Sequence, residues 1–192
     1  MNEDEKGTAM TICTHHKIRE IVIPMYHAEE LGITGVYLKN AVLQETCEVC
    51  GYVKSVAIPN LQGLIAAVAV SRVMSPFKLH GPEIRFLREA VEKPAKELAA
   101  KLEVLPTQIS RWENAKEPIS PRSEKLLRLY VLHELAGLTK VKSSRSAIFD
   151  MKIRAWRPLA GKMRMVFYLE KPAGEASTGR RRERWMELDE AA

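Results

Sequence analysis

The spacing of apolar and polar positions changes several times along the chain, and each change predicts an element. Residues 18–25 and 36–43 are short runs rich in Ile, Val and Leu, as in strands, with Gly32 and Gly35 marking turns between them. Asn60 stands before an apolar stretch that runs to about Met74, where Ser75 and Pro76 stop it. That pattern predicts a helix capped by the Asn60 side chain. From Gly81 onward the period is helical and is broken repeatedly by proline. Pro82 opens a helix carrying Ile84, Leu87, Arg88 and Val91, and Pro94 ends it and starts a second with Leu98, Ala99 and Leu102. Pro106 opens a third helix through about Ala115. Pro121 opens a fourth, with Leu126, Leu127, Tyr130, Val131 and Leu135 inward and Gly137 as its stop.

Beyond Gly137 the periodicity weakens. Residues 140–146 form a polar, basic linker, and the alternation over 151–157 and 163–170 around the turn-like 158–161 predicts a hairpin. Residues 184–188 read as a last short strand. The composition of residues 1–10 and 173–182 predicts disorder and flexibility. No internal repeat is visible.

The helices over 94–115 carry a demanding set of spacings. Two short helices that cross at a fixed angle need a small residue where they meet, and Ala99 supplies it beside Leu98 and Leu102. An apolar residue is needed just past the bend, which is Val104, and two buried residues three apart on the second helix, which are Ile109 and Trp112. The turn position usually given to glycine is Glu103, which must then accept an altered backbone. With Ile109 and Trp112 inward, the opposite face presents Thr107, Gln108, Arg111 and, at its end, Asn114. Arg pairs with both acceptors of guanine and Gln with adenine, so Arg111 is the leading candidate for base reading, with Thr107 and Gln108 beside it. Ser110, Lys116, Arg122 and Ser123, together with Lys96 on the preceding helix, suit phosphate contact.

Cysteine chemistry lies in the front segment. Cys13, Thr14, His15 and His16 form one ligand group, and Cys47 and Cys50 followed by Gly51 form another. A two-residue gap on a tight turn lets both side chains reach one tetrahedral ion, so Cys13, His16, Cys47 and Cys50 are candidate ligands, with His15 an alternative to His16. Four protein donors leave no open coordination position, which makes the expected zinc structural. His27, His80 and His133 have no partner at ligand spacing.

Composition narrows the class. Of 192 residues, 46% are hydrophobic, ample for a core, yet the longest apolar run, 64–70, is far short of the ~20 residues of a membrane span. The acidic, polar start lacks the basic-then-apolar form of a secretory signal, so a cytoplasmic protein is expected. The net charge of +6 is concentrated after residue 137, where 13 Lys and Arg face 7 Asp and Glu. A basic stretch of this kind attracts polyanions irrespective of sequence. No motif brings a nucleophile, a base and an orienting group together, so no enzyme is expected.

The order of parts is similar to that of the MqsA-type antitoxin and regulator family, which joins a YgiT-type zinc finger to an Xre-type, lambda-repressor-like helix-turn-helix. The likeness rests on the paired ligands, on Ser55, Val56, Ala57, Ile58, Pro59 and Asn60, on Gly81 to Arg88, and above all on Ser110, Arg111, Trp112, Glu113 and Asn114. It covers about residues 11–136. The resemblance implies a homodimer held through its DNA-binding domain on a palindromic operator of double-stranded DNA, with base reading at Thr107 and Arg111. It implies zinc on four cysteines, one of which is replaced here by His16 or His15. Antitoxin members bind and neutralise a ribonuclease toxin and regulate their own operon; other members are stand-alone regulators. The basic stretch after Gly137 departs from the compact antitoxin plan.

The expectation is therefore an α+β protein. Residues 1–10 precede a strand-containing zinc module over 11–58, a linker helix over 59–80 and an all-helical DNA-binding domain over 81–137. Residues 138–192 come last, as a basic, β-like appendage. The expected role is repression of transcription.

Overall fold

A computed structural model describes residues 13–155, 164–170 and 184–188. The expectations for residues 1–10, 158–161 and 173–182 lie outside them. Among the described residues, the chain is a mixed α+β protein whose five-stranded sheet and six α-helices share one core.

Three strands come first: β1 (Ile18–His27), β2 (Val36–Cys47) and β3 (Val53–Ala57), joined antiparallel with β2 in the middle. The register shifts twice, at Lys54 between β2 and β3 and at Pro24 between β1 and β2. Pro24 cannot donate, and opposite it β2 carries two residues, Asn40 and Ala41, with Asn40 at φ 50°. This bulge divides β2. Its first half, from Val36 to Lys39, pairs in parallel with β4 (Met165–Glu170), while Leu43 to Thr46 pair with β3. A last strand, β5 (Arg184–Leu188), lies antiparallel beside β4.

Helix α1 (Leu61–Met74) is buried along most of its length, at Leu64, Ala66 to Val70 and Val73. A helix apolar on nearly all sides belongs at the centre of a fold, and α1 packs between the sheet and the later helices. It is the middle of the molecule rather than a linker. The Asn60 side chain accepts from Gly63 N at 3.2 Å, as its position before the helix predicts. From the far end of the chain, the Trp185 indole donates to the carbonyls of Pro59 and Asn60 at 3.2 and 3.1 Å and is itself buried.

The proline-punctuated region forms α2 (Gly81–Ala90), α3 (Ala95–Lys101), α4 (Pro106–Glu113) and α5 (Pro121–Leu135). The first three end alike. Glu92, Glu103 and Ala115 each take φ 54°, just past a helix, and the next amide reaches back across six residues: Lys93 to Arg88 O, Val104 to Ala99 O, Lys116 to Arg111 O. These are Schellman caps built without glycine. The altered backbone expected at Glu103 is present.

Two buried arginines tie α1 to α2, α5 and the segment that joins α1 to α2. Arg72 donates to both carboxylate oxygens of Glu83, at 2.5 and 2.8 Å, and to the Phe77 and Lys78 carbonyls. Arg128 donates to Glu124 at 2.7 Å and to the carbonyls of Val73, Ser75 and Phe77 at 2.7, 2.5 and 2.6 Å. It satisfies carbonyls that the end of α1 leaves without helical donors. Burial lowers the Arg128 pKa, and the Glu124 carboxylate opposes that shift. The α5 interior differs from expectation here. Leu126 is exposed and Tyr130 half-buried, while Glu124, Arg128 and Leu132 are buried with Leu127, Val131 and Leu135.

After α5, among the described residues, 151–155 do not pair with 164–170 as the expected hairpin of 151–157 with 163–170 requires. A short helix, α6 (Arg145–Asp150), stands inside part of the expected linker, and Arg154 makes a single parallel bridge to Phe77. Strand β4 pairs with β2 and β5 instead. The C-terminal strands complete the front sheet; they are not an appendage. The physical reason is burial, because Met165, Phe167 and Trp185 join the core on one face of that sheet.

Candidate functional site

Four potential ligands meet at the far end of the three-stranded half-sheet. The turn between β2 and β3 is tight: Gly51 N donates to Cys47 O at 2.9 Å, and Gly51 sits at φ 73°, where a side chain would be strained. That turn points Val49 N at Cys47 Sγ, 3.4 Å away. The segment before β1 crosses it, held by Glu48 N to Lys17 O at 3.1 Å and by the Lys54 ammonium on the His15 carbonyl at 2.5 Å. Cys13 Sγ consequently lies 3.4 Å from Cys50 Sγ and 3.5 Å from His15 Nδ1.

One donor atom from each of Cys13, His15, Cys47 and Cys50 falls within 4.8 Å of the others, so the four could hold one metal ion. A tetrahedral ion with thiolate bonds of ~2.3 Å wants donors about 3.8 Å apart, close to this arrangement. The histidine is His15, not the expected His16. His16 is exposed and outside the cluster, because the strand-like path into β1 turns alternate side chains to opposite sides.

Electrostatics separates the thiols. Desolvation opposes the Cys47 thiolate, but the amides of Cys50 and Val49, with the Cys50 and Cys13 side chains, outweigh it and bring the thiol to about 6. Desolvation pushes the Cys13 thiol up, as do its Cys50 and Cys47 neighbours, against one backbone hydrogen bond. Cys47 is therefore ready as a ligand near neutral pH, and Cys13 must give up a proton to become one.

The second arrangement is the exposed side of α4. Ile109 is 0% and Trp112 3% exposed, packed with Leu98, Ala99 and Leu102, and Val104 is half-buried beside them. Thr107, Ser110, Arg111 and Asn114 are exposed on the other side, the Arg111 side chain at 62%. Gly81 explains how closely α2 approaches. A Cβ there would lie 2.5 Å from the Glu113 carbonyl and 2.9 Å from that of Trp112, so only glycine lets the start of α2 rest on the end of α4.

Several expected contact residues have structural partners. Gln108 accepts from Leu105 N at 3.2 Å, closing the first turn of α4. Arg111 faces Glu117 at 3.7 Å, and Asn114 donates to Ser110 O at 2.7 Å. Ser123 N donates to the Ser120 hydroxyl at 3.1 Å, so Ser123, half-buried, belongs to the cap of α5. Lys96, Lys116 and Arg122 are exposed. Sequence reasoning missed the bidentate pair of Arg88 with Glu113, at 2.6 and 3.2 Å, which joins α2 to α4. Only Arg88's place on an otherwise apolar helix face signalled it.

No family model matches this chain, and no curated protein or solved structure does so either. Among the described residues, no helix is long and apolar enough to cross a membrane.

Proposed function

We propose that this chain binds duplex DNA sequence-specifically, with α3 and α4 acting as a helix-turn-helix and α4 entering the major groove. The observation that carries the reading is the division of α4: Ile109 and Trp112 are locked in the core while Thr107 and Arg111 face solvent. A helix anchored on one side and studded with hydrogen-bonding groups on the other suits base reading. Arg111 reads guanine, with Thr107 beside it. Lys96, Lys116 and Arg122 contact phosphates and set the register.

The metal centre is structural in this reading. Its three thiol donors and one imidazole suit zinc, and four protein ligands leave no position for substrate. Zinc would pin the segment before β1 to the β2–β3 turn. The regulator acts as a homodimer on a palindromic operator, as the resemblance to MqsA-type proteins implies, and represses transcription there.

The test is selection of binding duplexes from a random library, followed by gel-shift titration. Arg111→Ala is expected to cost about 1–3 kcal/mol on the selected duplex and to relax one base position in each half-site. Equal affinity of the wild-type protein for selected and random duplexes would overturn the reading.

A further inference from the structure

Leu105 is an unusual residue for its place. It occupies the N-cap of α4, where Ser, Thr, Asp or Asn normally lends a side-chain oxygen. Leucine can make no such bond, and Leu105 is not part of the core either. At 67% it is the most exposed large apolar side chain among the described residues. Pro106 follows it and confines it to extended backbone, observed at φ −75°, ψ 144°. The residue is thus held rigidly, with its isobutyl group in water, at the end of α4 that enters the groove in the proposed reading.

Gln108 is bound to it. A backbone amide can only donate, so the Gln108 atom that receives Leu105 N must be the carbonyl oxygen Oε1. That bond takes up one lone pair of Oε1 and fixes the plane of the Gln108 amide. Adenine needs a donor and an acceptor together from a glutamine, and an oxygen already held by the cap is less free to turn to it than an unbound one. Thymine's edge asks for something different: a donor to O4 and an apolar neighbour for the C5-methyl, the only methyl in the major groove. Leu105, exposed at the N-cap, and Gln108, bonded to the Leu105 amide, are neighbours at this end of α4 and supply groups of those two kinds.

We propose that Leu105 and Gln108 together read a thymine, Leu105 covering its methyl group and Gln108 Nε2 donating to O4. The inference rests on the DNA-binding reading and adds a specificity element to it.

The test uses duplexes selected from a random library by the wild-type protein, with each thymine replaced in turn by uracil, which lacks only the methyl. For wild type, one replacement per half-site weakens binding about fourfold, as expected for one buried methyl-sized group. In Leu105→Ala that penalty disappears, and in Leu105→Met it is largely kept. Because Leu105 is exposed, both variants retain the fold, which circular dichroism checks. Specific binding that is indifferent to uracil at every position overturns the thymine assignment and leaves DNA reading intact. An undiminished uracil penalty in Leu105→Ala also overturns it. Failure of the wild-type protein to select any duplex removes the DNA-binding reading, and this inference with it.

Discussion

The guanidinium of Arg88 lies on the carboxylate of Glu113 through two hydrogen bonds, one 2.6 Å long, and so fastens the last turn of α4 to α2. Both side chains are largely buried, at 15% and 11% exposure. The Glu113 carboxylate raises the Arg88 pKa, so the guanidinium keeps its charge. We expect Glu113→Ala to lower stability by about 1–3 kcal/mol, since it strands a largely buried cation. Urea denaturation measures this, and a double-mutant cycle with Arg88→Ala isolates the pair from the packing around it.

Gly81→Ala addresses the same junction through the backbone. The new methyl group would press on the Glu113 carbonyl at 2.5 Å, and no flexible side chain can yield there. The expected loss is about 1–3 kcal/mol in thermal or denaturant unfolding. Retention of wild-type stability would show that α2 can shift away from α4.

The buried pair of Glu124 and Arg128 is expected to respond asymmetrically. Arg128→Leu leaves a buried carboxylate without its counter-charge and the end of α1 without its donors, for a loss of about 3–5 kcal/mol. Pairing Arg128→Leu with Glu124→Leu should recover part of that loss, because no charge is then left alone. The comparison is read from denaturant midpoints at unchanged m-value.

Metal loading should depend on pH in a direction set by Cys47. Its thiolate persists down to about pH 6, so metal affinity falls steeply on acidification through that value. The raised Cys13 thiol predicts proton release when metal binds at neutral pH. Calorimetry in buffers of different ionisation enthalpy counts those protons. Removing the metal, or replacing Cys47 and Cys50 by Ser, should increase hydrogen exchange at the Cys47 and Gly51 amides and leave α2 to α5 protected.

Lys116→Ala should weaken binding to selected and random duplexes alike and reduce the slope of log affinity against log salt by about 1. Loss confined to the selected duplex would instead make Lys116 a reader of bases.

The helices from Gly81 to Leu135 were legible because their signals are local. Pro82, Pro106 and Pro121 sit in first turns and Pro94 at an N-cap, where a missing amide costs nothing. The inward pair Ile109 and Trp112 follows from helical periodicity alone. The strands β1 and β2 were legible for the same reason. What escaped was long-range. The parallel pairing of Val36 with Met165 joins residues that no local pattern relates. The charges of Arg72 and Arg128 ordinarily signal solvent, whereas here both side chains are buried and serve carbonyls at the end of α1 and just beyond it. At the metal centre the ligand spacing identified three cysteines, but the choice between His15 and His16 depends on the path into β1.

The parallel seam between β2 and β4 also bears on synthesis. A ribosome delivers β2 and the face of α1 long before the strands that shield them, β4 and the Trp185 strand, leave the exit tunnel. Until β4 and β5 emerge, the nascent chain carries an open strand edge and an uncovered helix, the features that recruit chaperones. The helices around α4 draw on nearby contacts and can settle earlier, so their early folding does not close the core. That closure waits for β4 and β5.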